Sequence, residues 1–327
     1  MLNSFRSGSP FTILLLLAYT LVLKSYFLLH PLMPLDNNAN GYLYDLLAHS
    51  LNTLFRGNPA GFTGLAVLLL FTQSLSLNGI VNSYRILPKP SYLPAMAYLL
   101  FTSFFKSWNY FSSALIVNTI MLWVLAKLLA LYSKNSVRGD IFNTGLLIGI
   151  AALFYVPSVF FLVLLWVALL INRPFKSAEW IIAVIGILCP YYFLGTWLFL
   201  KNELSVLWKL PVVHISYPSL REAYFTMAAM ALVLLFFAFG AIKLRQHFLK
   251  MLIQVRKIWL VLLVYVIIAI LISFLTLSFS LNIWIFSMIP LTVFIANAFW
   301  YIKKNAVANV IHLLLFAFAI VVQFFAL

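Results

Sequence analysis

Charge of either sign is scarce in this chain, and acidic charge is scarcest: six Asp and Glu stand among 327 residues, and all charged residues together make up 8%. That is about a third of the charge of an ordinary soluble domain, which excludes a water-soluble globule. There is one cysteine, Cys189, inside an apolar segment ahead of Pro190, so no intrachain disulfide can form and the redox compartment cannot be read from it. With five scattered histidines beside it, a metal site built from nitrogen and sulfur ligands is disfavoured. No P-loop, G-x-S-x-G, H-E-x-x-H or C-x-x-C occurs. No acidic residue falls mid-way along an apolar stretch, and no inverted repeat is evident. Both absences count against an ion-coupled secondary transporter.

What the chain has is apolar length. Hydrophobic residues make up 65% and aromatics 17%, in runs near the roughly 20 residues that cross a bilayer. The expected fold is all-α, a polytopic transmembrane helix bundle forming one integral membrane domain over residues 1–327. Eleven spans are drawn at 11–30, 61–81, 91–107, 111–132, 141–156, 157–172, 180–200, 223–242, 258–278, 283–301 and 305–326. Arg6 ahead of the first gives it the look of a secretory signal. No A-x-A site precedes residue 31, so an uncleaved span is preferred.

The 21 Lys and Arg test this count. With the N-terminus inside, fifteen of them fall on inner segments (Lys127, one turn from its end, included) and six on outer ones: Lys24, Arg56, Lys106, Lys201, Lys209 and Arg221. Basic residues resist translocation, so the split predicts the N-terminus inside and the C-terminus outside. The same charges on a soluble chain would suggest nucleic acid; here the expected partners are membrane lipids and other membrane proteins, with no nucleic acid. Nine spans are the alternative, with 141–171 as one tilted helix and 91–107 dipping in without crossing. It would put Lys134 and Arg138 outside, so eleven is preferred. Lys24 and Lys127 lie within snorkelling reach of a span end, and His312 reads as a packing histidine.

Three connections are longer than a turn needs: outer 31–60, outer 201–222 and basic inner 243–257. The last alternates basic and apolar residues at helical spacing and predicts an interfacial helix. In the first, Leu43, Leu46, Leu47, Leu51 and Leu54 share one helical face, while Tyr42, Asp45, His49, Asn52 and Arg56 share the other, with Asn40 as a cap. This predicts an amphipathic helix on the outer surface.

Asp36, just ahead of that helix, is the candidate catalytic residue, a general base for an acceptor hydroxyl or a ligand for a divalent cation near a lipid phosphate. The plainer reading is a solvated turn aspartate in a Pro- and Asn-rich loop. Asp45 and His49, four residues apart, could form an accessory dyad or an ordinary surface pair. Arg56, His214 and Arg221 are candidates for a substrate phosphate, which an Arg fork matches bidentately. Trp197, Trp208 and Tyr217 could support an isoprenoid tail or a sugar face; an interfacial belt of aromatic and basic residues is the alternative.

Taken together, a first span, an outer loop with an early Asp36, a surface helix bearing Tyr42-Leu-Tyr44 and Leu46-Leu47, many short spans and the Pro-containing Ile283-Trp-Ile-Phe-Ser-Met-Ile-Pro-Leu-Thr-Val-Phe-Ile-Ala-Asn297 resemble the integral-membrane glycosyltransferases of the GT-C class. The chain also resembles an uncharacterised family of bacterial polytopic inner-membrane proteins. It departs from the GT-C pattern where Asp36 is followed by Asn37-Asn38. The resemblance implies a polyprenyl-phosphate-linked sugar as donor, inverting transfer on the outer face, and Asp36 as base or metal-orienting residue, with either no cofactor or a divalent cation. Two other functions compete with it: a non-catalytic subunit or scaffold of an envelope assembly and, more weakly, a lipid or isoprenoid flippase.

Overall fold

The computed structural model describes residues 2–34, 40–132, 137–203, 205, 220–275 and 281–325. It is 84% helical, with no strand among the described residues. The chain opens with α1 (Leu2–Arg6), α2 (Thr12–Leu23) and α3 (Ser25–Leu29), then α4 (Tyr42–Phe55) and α5 (Pro59–Ser83). α6 (Leu93–Thr102), α7 (Ser113–Ala130), α8 (Arg138–Phe154), α9 (Phe161–Asn172) and α10 (Ser177–Leu200) follow. α11 (Leu220–His247), α12 (Ile253–Leu275), α13 (Ile285–Tyr301) and α14 (Asn305–Phe325) complete the bundle. Seven of these, α5, α7 and α10 to α14, are long and apolar enough to cross a membrane. Local signals set the boundaries: Asn58 caps α5 through Ala60 N at 3.0 Å with Pro59 at the first helical position, and Ser112 caps α7 through Leu115 N at 3.3 Å.

Contacts sort the helix ends into two groups. At one end, Arg6 donates to the carbonyls of Phe299 (2.6 Å) and Ile302 (2.7 Å), closing the C-terminus of α13. Partial burial lowers the pKa of this guanidinium from its ordinary value. Tyr92 N donates to Phe5 O at 2.7 Å, Lys257 Nζ to Asn172 O at 3.3 Å, and His247 stacks on Tyr301. We call this the basic end. At the opposite end, which we call the loop end, Trp108 Nε1 donates to Leu281 O (2.6 Å), Gln323 to Ser103 O (3.2 Å) and Gly41 N to Phe154 O (2.8 Å).

Glycines let α8 lie against α10. A Cβ on Gly145 would meet Ala183 O at 2.4 Å, one on Gly149 would meet Ile187 O at 2.6 Å, and one on Gly186 would meet Phe142 O at 2.5 Å. Numbers rise together along both helices, so α8 and α10 run parallel, and α9 between them must return. The turn is where the sequence placed it: Tyr155 is extended (φ −146°, ψ 105°), followed by a 3-10 turn at Val156–Phe160. Residues 141–171 are therefore not one tilted helix, and that element of the nine-span alternative is corrected.

α6 and α13 form the core. All ten residues of α6 are buried, as are Ile285 to Phe299 of α13. Against α6 lies a polar cluster: Tyr98 Oη donates to Gln73 Oε1 (2.5 Å), Asn118 Nδ2 donates to Tyr98 Oη (2.7 Å), and Gln73 Nε2 donates to Leu115 O and Thr119 Oγ1. Buried polar groups are mostly partnered, and here the Tyr98 hydroxyl and the Gln73 amide are, whereas Asn118 Oδ1 is buried without a hydrogen-bond partner.

Three other expectations change. Residues 243–257 are not one interfacial helix; α11 runs on to His247, a 3-10 turn covers Phe248–Lys250, and α12 begins at Ile253. The apolar residues of that stretch continue the faces of two long helices, which explains their helical spacing. The first span is broken at Lys24 into α2 and α3, and Lys24 is fully buried instead of snorkelling. His312 packs as expected, stacked on Tyr19 with Nε2 3.0 Å from its hydroxyl.

Candidate functional site at the loop end

α4 lies across the loop end of the bundle. Gly41 at its N-cap sits so close to the end of α8 that a Cβ there would meet Leu153 O at 2.1 Å. Tyr44 stacks on Phe111 at the start of α7 and donates to its carbonyl at 3.4 Å. Phe55 meets Phe62 at the start of α5, and Tyr42 and Leu43 pack on Leu194 and Leu198 near the end of α10. One short helix thus touches the ends of four others. Arg56 (φ 54°) and Gly57 (φ 74°) stop it in left-handed conformations.

The amphipathic division differs from the one expected. Tyr44 is buried, and Leu47, Ala48, Leu51 and Phe55 pack against the bundle, whereas Leu46 and Leu54 are exposed. At 100° per residue Leu47 and Leu51 fall in the protein-facing stripe around Tyr44, while Leu46 and Leu54 lie to one side of it. α4 therefore has a protein face, an exposed apolar flank and a polar face bearing Asp45, His49, Asn52 and Arg56, all four exposed. That arrangement suits a helix at a bilayer surface. Asn40 does not cap it: Gly41 is the N-cap, and Asn40 Oδ1 accepts from Ser113 Oγ at 2.6 Å.

Asp36 and His214 lie outside the described residues, as do Trp208 and Tyr217, and of Arg221 only the place in the first turn of α11 is described. The residues flanking Asp36 are fixed. Leu32 N donates to Thr63 Oγ1 at 2.9 Å, and Asn40 is held by Ser113 and by the bridge to Tyr155. Asp45 and His49 share one face, but Arg56 is eleven residues beyond Asp45, about 16 Å along the helix at 1.5 Å per residue. Among the described residues no group of three or more His, Cys, Asp or Glu is placed to hold a metal ion. The described side chains do not fit a divalent cation.

Composition gave no hint of a fully buried lysine at this end. Lys24 Nζ donates to Asn109 Oδ1, and Asn109 Nδ2 donates to the carbonyls of Phe105 (2.8 Å) and Thr102 (3.4 Å). The pair joins α2 to the 3-10 turn Lys106–Asn109. The signal was a lysine interrupting an apolar run, but its partner lies 85 residues away. Removing one member of such a pair costs more than replacing the charge itself by an apolar side chain. We therefore expect Asn109→Leu to lower the detergent melting temperature more than Lys24→Met does; equal losses would contradict the pairing.

Comparison of the chain with family models, curated proteins and solved structures finds no match.

Proposed function

We propose that this protein is a GT-C-like membrane glycosyltransferase that takes its sugar from a lipid phosphate at the outer face of a bacterial inner membrane. The observation that carries this reading is α4 laid across the loop end, with the residues on both sides of Asp36 tied to the same end through Thr63 and Ser113. A carboxylate carried there would meet a lipid head group at the bilayer surface, where an acceptor hydroxyl arrives from water. Asp36 would take the proton of that hydroxyl as it attacks the sugar, and Arg56, His214 and Arg221 would face the leaving phosphate.

Charge supports the orientation of this reading. Arg85, Lys89, Arg173, Lys176, Lys303 and Lys304 join the end held by Arg6 and Lys257, and the positive-inside rule favours that end as the cytoplasmic one. In this reading the chain crosses eleven times, seven of the crossings made by the long apolar helices α5, α7 and α10 to α14. α6, about 15 Å long at 1.5 Å per residue, is too short to cross about 30 Å of hydrocarbon as a helix. Its burial allows the rest of that traverse to be irregular.

One observation favours a non-catalytic subunit instead: Asp45, His49 and Arg56 do not converge. The assay that separates the two uses the purified protein in liposomes with a radiolabelled sugar on polyprenyl phosphate and an acceptor extract. Transfer of label supports the enzyme; no transfer together with a stoichiometric partner in mild detergent supports the subunit.

A further inference from the structure

α11 and α12 are joined by residues 248–252, yet both pack on α13 and they scarcely touch each other among the described residues. The gap between them, floored by α13, is an apolar cleft of about 260 Å³. Phe237 of α11, Ile270 of α12 and Met288 and Leu291 of α13 line its depth, and Trp108 and Trp284 surround its loop end. Leu234 on its α11 wall is exposed, so the cleft opens sideways toward lipid. Ser287, a polar residue in the lining, spends its hydroxyl on Trp284 O at 2.7 Å. From Trp284 to Leu291 is about 10 Å at 1.5 Å per residue.

Water gains nothing in such a space, because it needs several polar partners, while unfilled walls lose dispersion contacts. An apolar cavity of about 150 Å³ takes the six carbons of benzene, so this cleft takes on the order of ten carbons of a chain. A whole helix, about 10 Å across, does not fit.

The cleft lining is apolar, but the two turns that contribute Trp108 and Leu281 to it carry polar groups beside it that the protein itself does not use. The turns Lys106–Asn109 and Leu281–Trp284 are tied together by Trp108 Nε1 and Leu281 O at 2.6 Å. Ser107 Oγ and Asn282 Oδ1 are buried without a hydrogen-bond partner, and Asn282 is 5% exposed. Lys106, partly exposed in the first of these turns, carries the positive charge. A buried acceptor calls for a donor, and an ammonium calls for an anion.

We propose that the cleft holds one acyl tail of a glycerophospholipid whose phosphate meets Lys106 and whose head-group hydroxyl or ammonium serves Asn282. An isoprenoid monophosphate brings the anion without that second donor, which is why the diacyl lipid is chosen. A bound phospholipid neither requires nor implies sugar transfer, so the two proposals fail separately.

The test uses the full-length protein in nanodiscs containing phosphatidylglycerol with a photoactivatable diazirine in its tail, and maps adducts by peptide mass spectrometry. Adducts are expected to concentrate on 230–237 and 284–291, and to fall about tenfold in Met288→Trp, equivalent to a loss of about 1.4 kcal/mol. Adducts on the exposed face of α10, at Ile185 and Tyr192, should stay unchanged. Unlabelled phosphatidylglycerol should displace the probe from the wild-type protein, and diacylglycerol should not; these two arms need no variant. Cleft adducts no denser than those on α10 would overturn the proposal. So would equal displacement by diacylglycerol, or stronger displacement by polyprenyl phosphate.

Discussion

Asp36→Asn is expected to lower sugar transfer by about 10²–10⁴-fold, the range a positioned general base contributes, while leaving the amount of protein in the membrane unchanged. The substitution keeps the shape and hydrogen-bonding reach of the side chain and removes only the charge that accepts a proton. Reduced turnover with unchanged donor affinity would place Asp36 in the transition state; weaker donor binding alone would place it in the ground state. Under the subunit reading the variant is silent. Full complementation of a deletion strain by Asp36→Asn, with a stoichiometric partner recovered in mild detergent, would contradict the enzyme reading.

The largest structural effect is expected at Gly145. Leucine there must clear Ala183 O, 2.4 Å from the position its Cβ would take, and Gly186 Cα at 3.2 Å. Both obstacles are backbone, so α8 and α10 would have to separate. Overpacking of this kind costs about 1–3 kcal/mol or more. Gly139 supplies the control on the same helix, since a Cβ there meets nothing within 4 Å. Gly145→Leu should melt well below the wild type in detergent, and Gly139→Leu at or slightly above it, because leucine exceeds glycine in helix propensity. Similar melting of the two variants would contradict the close α8–α10 contact.

The helical architecture was legible because it is written in apolar length, which needs no partner to be read. Tyr155-Val156-Pro157-Ser158 marked the α8–α9 turn for the same local reason: a proline disfavours helix for the residue before it. A signal for the α8–α10 contact also stood in the chain, in glycines four apart at 145 and 149, a spacing that lets backbones approach. Other features were invisible because they depend on distant residues. Lys24 is buried only because Asn109 is there to accept from it. The faces of α4 are turned from the expected ones because Tyr44 and Phe55 find Phe111 and Phe62, which only the packed bundle brings near. Residues 243–257 read as one amphipathic unit because basic residues at the ends of two adjacent helices repeat the spacing of a surface helix.

Cysteine labelling in intact cells, on a Cys189→Ser background with a membrane-impermeant maleimide, tests the central claim, that the end carrying α4 faces outward and the basic end faces the cytoplasm. The exposed positions His49, Arg56 and Asn202 serve for the first, and Lys89, Lys176 and Lys303 for the second. The account predicts labelling of His49→Cys, Arg56→Cys and Asn202→Cys in intact cells, and of Lys89→Cys, Lys176→Cys and Lys303→Cys only after permeabilisation. Labelling of the second set in intact cells, or a mixed pattern within either set, would contradict it.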